Sequence, residues 1–70
     1  MTYSYAILKE LGEVGEKSVN LVMWGNQQAK IDVRQWLRDD TGELTPCKGI
    51  CLTKEEAKQL IGILAEYLYM

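Results

Sequence analysis

A nine-residue stretch in the middle of the chain, residues 29–37, most constrains the fold. In a β-strand, successive side chains point to opposite sides of the sheet. On one side the alternation places Ala29, Ile31, Val33 and Leu37. On the other side it places Lys30, Asp32, Arg34 and Trp36. A side that is only solvated has little need of a tryptophan. We therefore predict a strand with one core-facing side and one working side.

The chain length predicts a single domain, residues 1–70. In a domain this small, burial of apolar surface roughly cancels the entropy cost of ordering the chain. Disulfides offer no help, because on one strand the Cα atoms of Cys47 and Cys51 would lie about 13 Å apart, too far for a bridge or for one zinc ion. We interpret both cysteines as small hydrophobic residues, with a redox or metal role as the open alternative. Self-association is the expected source of further stability.

Charge and hydropathy limit the partners. The N-terminus has no apolar run of the signal-peptide type, and no segment approaches the about 20 apolar residues that span a bilayer. We expect a cytoplasmic protein with no membrane partner. The net charge of -2 gives no overall attraction to nucleic acid, so such a partner must be held by a local patch.

The order of strand and turn signals predicts four strands in a meander. Strands are expected at 4–14, 17–24, 29–37 and 47–52, with connections at 15–16, 25–28 and 38–46. The first segment also has a spacing that would suit a helical turn. Gly49 in the fourth strand permits a bulge or the close approach of another backbone.

A helix should follow, because Thr53 and Glu56 form a capping-box pattern. One apolar stripe is wide enough to cover the sheet, and it comprises Ala57, Leu60, Ile61, Leu64 and Leu68. A second stripe has nothing to pack against in one chain, so we predict a homodimer interface formed by Leu60, Ile63, Leu64, Tyr67 and Met70. Gly62 would mark a bend or a close helix crossing.

Enzymatic signals are weak. The sequence has no histidine, no glycine-rich phosphate loop and no paired nucleophile and base. Asp32 beside Arg34 is interpreted as an orienting ion pair rather than as a catalytic carboxylate. We predict no catalytic residues, no metal and no cofactor.

Binding signals are stronger. Trp24 and Trp36 fall on the polar sides of adjacent strands, with Lys30 and Arg34 between them. Aromatic rings stack on bases with about 1–3 kcal/mol per base, and cations follow the phosphate backbone. The alternative is that both tryptophans are half-buried core, and their spacing does not decide between the two.

A longer pattern resembles a known family. The run Asp39-x-x-Gly42-Glu43-x-x-Pro46-x-Lys48-Gly49-Ile50-x-Leu52, preceded by Ile31-Asp32-Val33-Arg34, resembles the transcriptional positive cofactor four family over roughly residues 5–60. The segments Val22-x-Trp24, Lys30-x-Asp32-x-Arg34-x-Trp36 and Lys48-Gly49-Ile50 are most similar to its small bacterial YdbC-like members.

The resemblance implies an α+β fold: a curved four-stranded antiparallel sheet and a kinked C-terminal helix (ββββα), dimerised through the helices. It also implies binding of single-stranded DNA with little sequence preference. By this resemblance Arg34 and Lys48 match basic residues that contact the DNA backbone, and Trp24 matches an aromatic ring that stacks on bases. Trp36 matches the aromatic region at the strand end, and Lys30 agrees with the bacterial members. The predicted nucleic-acid-binding residues are Lys17, Asn20, Trp24, Lys30, Arg34, Trp36 and Lys48.

Some positions depart from that family pattern. Thr45 and Val22 stand where the eukaryotic coactivators have basic residues, one basic position before Lys48 is deleted, and the Ser-rich regulatory tail is absent. These differences imply lower affinity or a greater dependence on stacking, and they remove the basis for that phosphorylation control.

Three hypotheses follow. The first is a homodimeric single-stranded DNA-binding protein acting in transcription, replication or repair, associated with the bacterial nucleoid and open to contacts with the transcription machinery; RNA is an open alternative ligand. The second is an adaptor of the same fold that grips an extended peptide or a transcription protein. The third is dimerisation without a ligand, with both tryptophans buried.

Overall fold

The computed structural model describes residues 4–69, and it shows one open antiparallel sheet followed by one helix. The elements are β1 (Tyr5–Val14), β2 (Lys17–Trp24), β3 (Lys30–Arg38), β4 (Leu44–Leu52) and α1 (Lys54–Leu68). The strands lie in the order β1-β2-β3-β4, each antiparallel to its neighbour. The predicted ββββα meander is therefore confirmed, and the helical alternative for the first segment is wrong.

The predicted start of the fourth strand is wrong. β4 begins at Leu44 rather than at Cys47, and Pro46 lies inside it. A proline is tolerated there because β4 is an outer strand, which needs a full set of hydrogen bonds on one side only. The remaining loop is short, and the carboxylate of Asp39 orders it by accepting hydrogen bonds from the backbone N–H groups of Thr41 and Glu43, both at 2.9 Å.

Gly49 is the point of closest approach between β3 and β4. A Cβ atom at this position would collide with the carbonyl oxygen of Val33 and with Cβ of Arg34. The strand register also shifts between Arg34 and Trp36, which is the signature of a bulge. The prediction of a close backbone approach at Gly49 is confirmed.

The sheet curls strongly over one of its two sides. β1 contains two register shifts, at Ile7/Lys9 and at Glu10/Gly12, and such irregularities increase local twist. Tyr5 at one corner of the sheet consequently reaches the opposite corner, where its hydroxyl donates a 3.5 Å hydrogen bond to the carbonyl of Leu44. We call the enclosed side the inner side; it carries Asn20, Val22, Trp24, Lys30, Asp32, Arg34, Trp36 and Arg38.

The most buried residues lie on the inner side. Val22 and Asp32 have no exposed surface, and Asn20 is 5% exposed. On the opposite, outer side Leu37 is 55% exposed. The prediction that the side bearing Ile31, Val33 and Leu37 is the core is therefore wrong within one chain, because the curled sheet closes over its other side.

The helix begins as predicted. The Thr53 hydroxyl accepts from the backbone N–H of Glu56 at 3.1 Å, and the Glu56 carboxylate accepts from the backbone N–H of Thr53 at 2.9 Å. The second of these bonds lowers the pKa of Glu56. The capping box is thus confirmed on both sides.

The helix does not cover the sheet. Over Lys54–Leu68 no residue is buried, and Ile61 and Leu68 are 66% and 61% exposed. The predicted apolar stripe of the helix, which includes these two residues, therefore does not cover the sheet within one chain, and that prediction is wrong. Among the described elements, α1 contacts only β3 and β4, and the molecule extends over 46 Å. Gly62 is helical, and a Cβ atom at this position would have no neighbouring atom within 4 Å among the described residues. Met70, which was predicted to lie in the dimer interface, lies outside the described residues. Within residues 4–69, α1 is too short and too polar to cross a membrane.

Candidate nucleic-acid interface

Three aromatic rings meet on the inner side. The ring centroid of Tyr5 lies 5.6 Å from that of Trp24 and 5.1 Å from that of Trp36. The two indoles are stacked at 6.0 Å with an interplanar angle of 2°. We call these three residues the aromatic cluster, and they join β1, β2 and β3 across the curled sheet.

Arg34 is held between this cluster and a buried carboxylate. Its guanidinium carbon lies 4.8 Å from the centroid of the Trp24 ring, a cation–π geometry. Its Nε and Nη2 donate to the Asp32 carboxylate at 2.8 and 2.7 Å, and its Nη1 donates to the carbonyl of Cys47 at 2.8 Å. The hydrogen bond to Asp32 raises the pKa of Arg34. The predicted orienting ion pair is confirmed, and only 13% of the arginine side chain remains exposed.

Cys51 completes this network. Its thiol donates to Asp32 at 3.2 Å, and burial together with that bond raises the pKa of Cys51 above its ordinary value of 9.0. Both Cys47 and Cys51 are free thiols. In the part of the chain that the structure describes, no three metal-binding side chains come together.

The two indole N–H groups have unusual surroundings. Among residues 4–69, Nε1 of Trp24 and Nε1 of Trp36 are buried without a hydrogen-bond acceptor. Leaving a buried donor unpaired costs about 1–3 kcal/mol. Packing alone would therefore favour apolar rings at these two positions.

A cavity of about 400 Å³ opens on the inner side beside the aromatic cluster. We call it the inner cavity, and it is lined by Ile7, Glu10, Gly12, Glu13, Ser18, Asn20, Trp36, Arg38 and Leu44. Arg38 was missed by the sequence prediction because the third strand was ended at Leu37. Extending the alternation from Arg34 by four residues would have placed Arg38 on the working side.

The predicted binding residues do not all share one surface. Asn20, Trp24, Arg34 and Trp36 gather on the inner side, and Lys30 lies half-buried on the same side of β3. Lys17 is exposed, and it lies on the outer side because it is two residues before Val19, which is on that side. Lys48 is exposed and lies in the bulge beside Gly49.

These features define a small ββββα domain whose curled sheet holds aromatic rings and cations on one side. Comparison with known families assigns it further: the family model of transcriptional coactivator p15 (PC4) matches residues 11–63. The chain belongs to this family of non-enzymatic, single-stranded-DNA-binding coactivators. Comparisons with curated proteins and with solved structures find no match. The YdbC-like subtype stays a prediction.

Proposed function

We propose that this protein is a homodimer that binds single-stranded DNA with little sequence preference and acts in transcription, replication or repair. The family match over residues 11–63 is the observation that carries the proposal. The proposal also places the protein with DNA inside the cell, in contact with the transcription machinery when it acts as a coactivator.

The cations of β3 support phosphate binding. Lys30, Arg34 and Arg38 recur at every fourth residue on the inner side, so their Cα atoms are spaced by about 13 Å along the strand. In our proposal Lys30 and Arg38 contact the phosphates. Arg34 supplies positive charge and orients Trp24, because most of its N–H groups are already paired with Asp32, Cys47 and Cys51.

The aromatic cluster supports stacking. The rings are half-buried rather than sealed, and Trp36 forms part of the wall of the inner cavity. An unpaired base has an exposed π-face and can stack on such a ring whatever its sequence, whereas a duplex keeps its bases stacked inside. A preference for single strands follows from this difference.

Exposure of the helix supports the dimer. Ile63 and Tyr67 are 64% and 83% exposed, which is an unusual amount of apolar surface for a chain of this size. A second copy that packs helix against helix would bury this surface at a two-fold interface.

A peptide-binding adaptor is the second candidate. The net charge of -2 and the placement of Glu10 and Glu13 at the inner cavity favour a partner other than a polyanion. On this hypothesis the inner side would bind an extended basic segment of a transcription protein.

A direct test measures the binding of a fluorescently labelled 20-nucleotide DNA strand by anisotropy, at several salt concentrations. We expect a dissociation constant in the range of about 10⁻⁶–10⁻⁴ M at physiological salt, weakening steeply as salt rises. Duplex DNA should bind more weakly. A basic peptide that binds where no oligonucleotide does would instead select the adaptor.

A matched pair of variants locates the interface. Lys30→Gln removes a cation from the inner side, whereas Lys9→Gln removes one from β1 at a position paired with Leu21 on the outer side. Losing one phosphate contact should reduce the salt slope of Lys30→Gln by about 1, and Lys9→Gln should behave as the unmodified protein. Equal losses in both variants, or no binding at low salt, would contradict the proposal.

A further inference from the structure

We propose that the inner cavity accepts a single unstacked base and prefers bases that carry an exocyclic amino group, namely cytosine, adenine and guanine over thymine. This inference rests on the proposed function and adds one selective position to an otherwise unselective surface. It is carried by three features of the cavity: a nearly buried amide, two carboxylates and an aromatic wall.

The buried amide belongs to Asn20. The residue is 5% exposed, it lines the cavity, and within residues 4–69 no side-chain hydrogen bond joins it to another residue. Its amide atoms keep access to solvent at the cavity, so they can exchange water for the polar edge of a ligand. An amide group can pair simultaneously with a donor and an acceptor on the edge of a base.

The two carboxylates belong to Glu10 and Glu13 on β1. Strand pairing sets Glu10 opposite Asn20 and Glu13 opposite Ser18, so all four residues line the same part of the cavity. The one cation of the described lining is Arg38, and its Nη1 donates to the carbonyl of Gly42. The carboxylates disfavour a phosphate beside β1 and favour there a ligand that presents N–H donors, while Arg38 on β3 remains the phosphate contact of the proposed function.

Trp36 provides the aromatic wall. It is the member of the aromatic cluster that borders the cavity, whose volume of about 400 Å³ has room for a purine or a pyrimidine. A base lying against this ring would direct its polar edge toward Asn20 and Glu10 across the cavity.

The four bases differ in the hydrogen-bond donors and acceptors that this edge carries. Cytosine and adenine present an amino group at C4 and C6, and guanine presents N1–H beside its 2-amino group. Thymine presents a carbonyl oxygen on each side of its single N–H. Carboxylates accept hydrogen bonds from amino groups and repel carbonyl oxygens, so thymine is the least suited of the four.

The test compares unlabelled oligo-dC and oligo-dT of equal length as competitors for one labelled strand. We expect oligo-dC to bind about fivefold more tightly or better, at the lower end of what one specific polar contact provides. Glu10→Gln and Glu13→Gln should reduce this ratio toward one. Glu16→Gln removes the same charge from the turn outside the cavity and should leave the ratio unchanged.

The outcomes separate this inference from the proposed function. Equal affinity for the two oligonucleotides in the unmodified protein overturns the base preference alone. A preference that persists in Glu10→Gln and Glu13→Gln overturns its assignment to the inner cavity. Absence of binding to both oligonucleotides overturns the proposed function, and this inference with it.

Discussion

The inner side of the sheet and the helix α1 use their apolar residues in different ways. On the inner side, which also carries the aromatic cluster, Val22 is fully buried within one chain, as is the carboxylate of Asp32. Along α1 no residue is buried, although Leu60, Ile61, Ile63, Leu64 and Leu68 all belong to it. The inner side has buried residues within one chain, and α1 has none.

This difference separates two requirements that a small domain must meet. The curled sheet obtains a compact centre from its own bulges and rings. The helix obtains local stability from the capping box, and its apolar side chains stay exposed within one chain, which is the basis of the proposed dimer. The proposed binding surface and the proposed dimer interface therefore lie in different parts of the molecule, so variants can test one without the other.

The largest effect is expected from Asp32→Ala. The substitution leaves the guanidinium of Arg34 buried without its carboxylate, and the loss of one partner of a buried pair costs about 3–5 kcal/mol. Small domains have about 5–15 kcal/mol in total, so the free energy of unfolding, measured with urea, should fall by a large fraction. Asp40→Ala in the exposed loop is the control. Equal stabilities of the two variants would show that the inner side is not the centre of the fold.

An intermediate effect is expected from Leu64→Lys. If a second copy covers α1, the protein should sediment at twice its 8.0 kDa chain mass at micromolar concentration. A central interface residue contributes about 2 kcal/mol or more, so the substitution should weaken the dimer about 30-fold. Glu66→Lys, on an exposed residue of the same helix, is the control. A monomeric unmodified protein would remove the basis for the comparison between the two regions.

The smallest effect is expected at the capping box. Thr53→Ala should cost about 1 kcal/mol by removing the cap that accepts from the Glu56 N–H. Because the pKa of Glu56 is lowered in the folded state, its contribution is present above its ordinary value of 4.5 and is lost as the pH falls through the folded value. Helix content followed by circular dichroism should fall more on acidification in the unmodified protein than in Glu56→Gln. Identical acid profiles would contradict this assignment.

The local elements could be predicted from the sequence because their signals are local. The bounds of β2 follow from alternation, and the helix start follows from the four residues that begin at Thr53. The Asp32–Arg34 pair is similarly local, since the two residues are neighbours on one side of one strand.

The closure of the sheet could not be predicted in this way. It depends on Tyr5 meeting Trp36 across 31 positions of sequence, and on two bulges in β1 that alternation does not reveal. The start of β4 was missed because Pro46 normally marks a loop, and only its place in an outer strand makes it acceptable. Because the closure was not foreseen, the sequence pattern predicted the core on the outer side, whereas the buried residues lie on the inner side.

The position of the two tryptophans has a practical consequence. They are the only tryptophans of the chain, and both lie in the aromatic cluster, whereas α1 contains none. Intrinsic emission excited at the indole band will therefore report on the curled sheet and will be almost blind to helix pairing. Ligand binding to the sheet can therefore be followed by tryptophan fluorescence without a label, while the oligomeric state is measured separately by sedimentation.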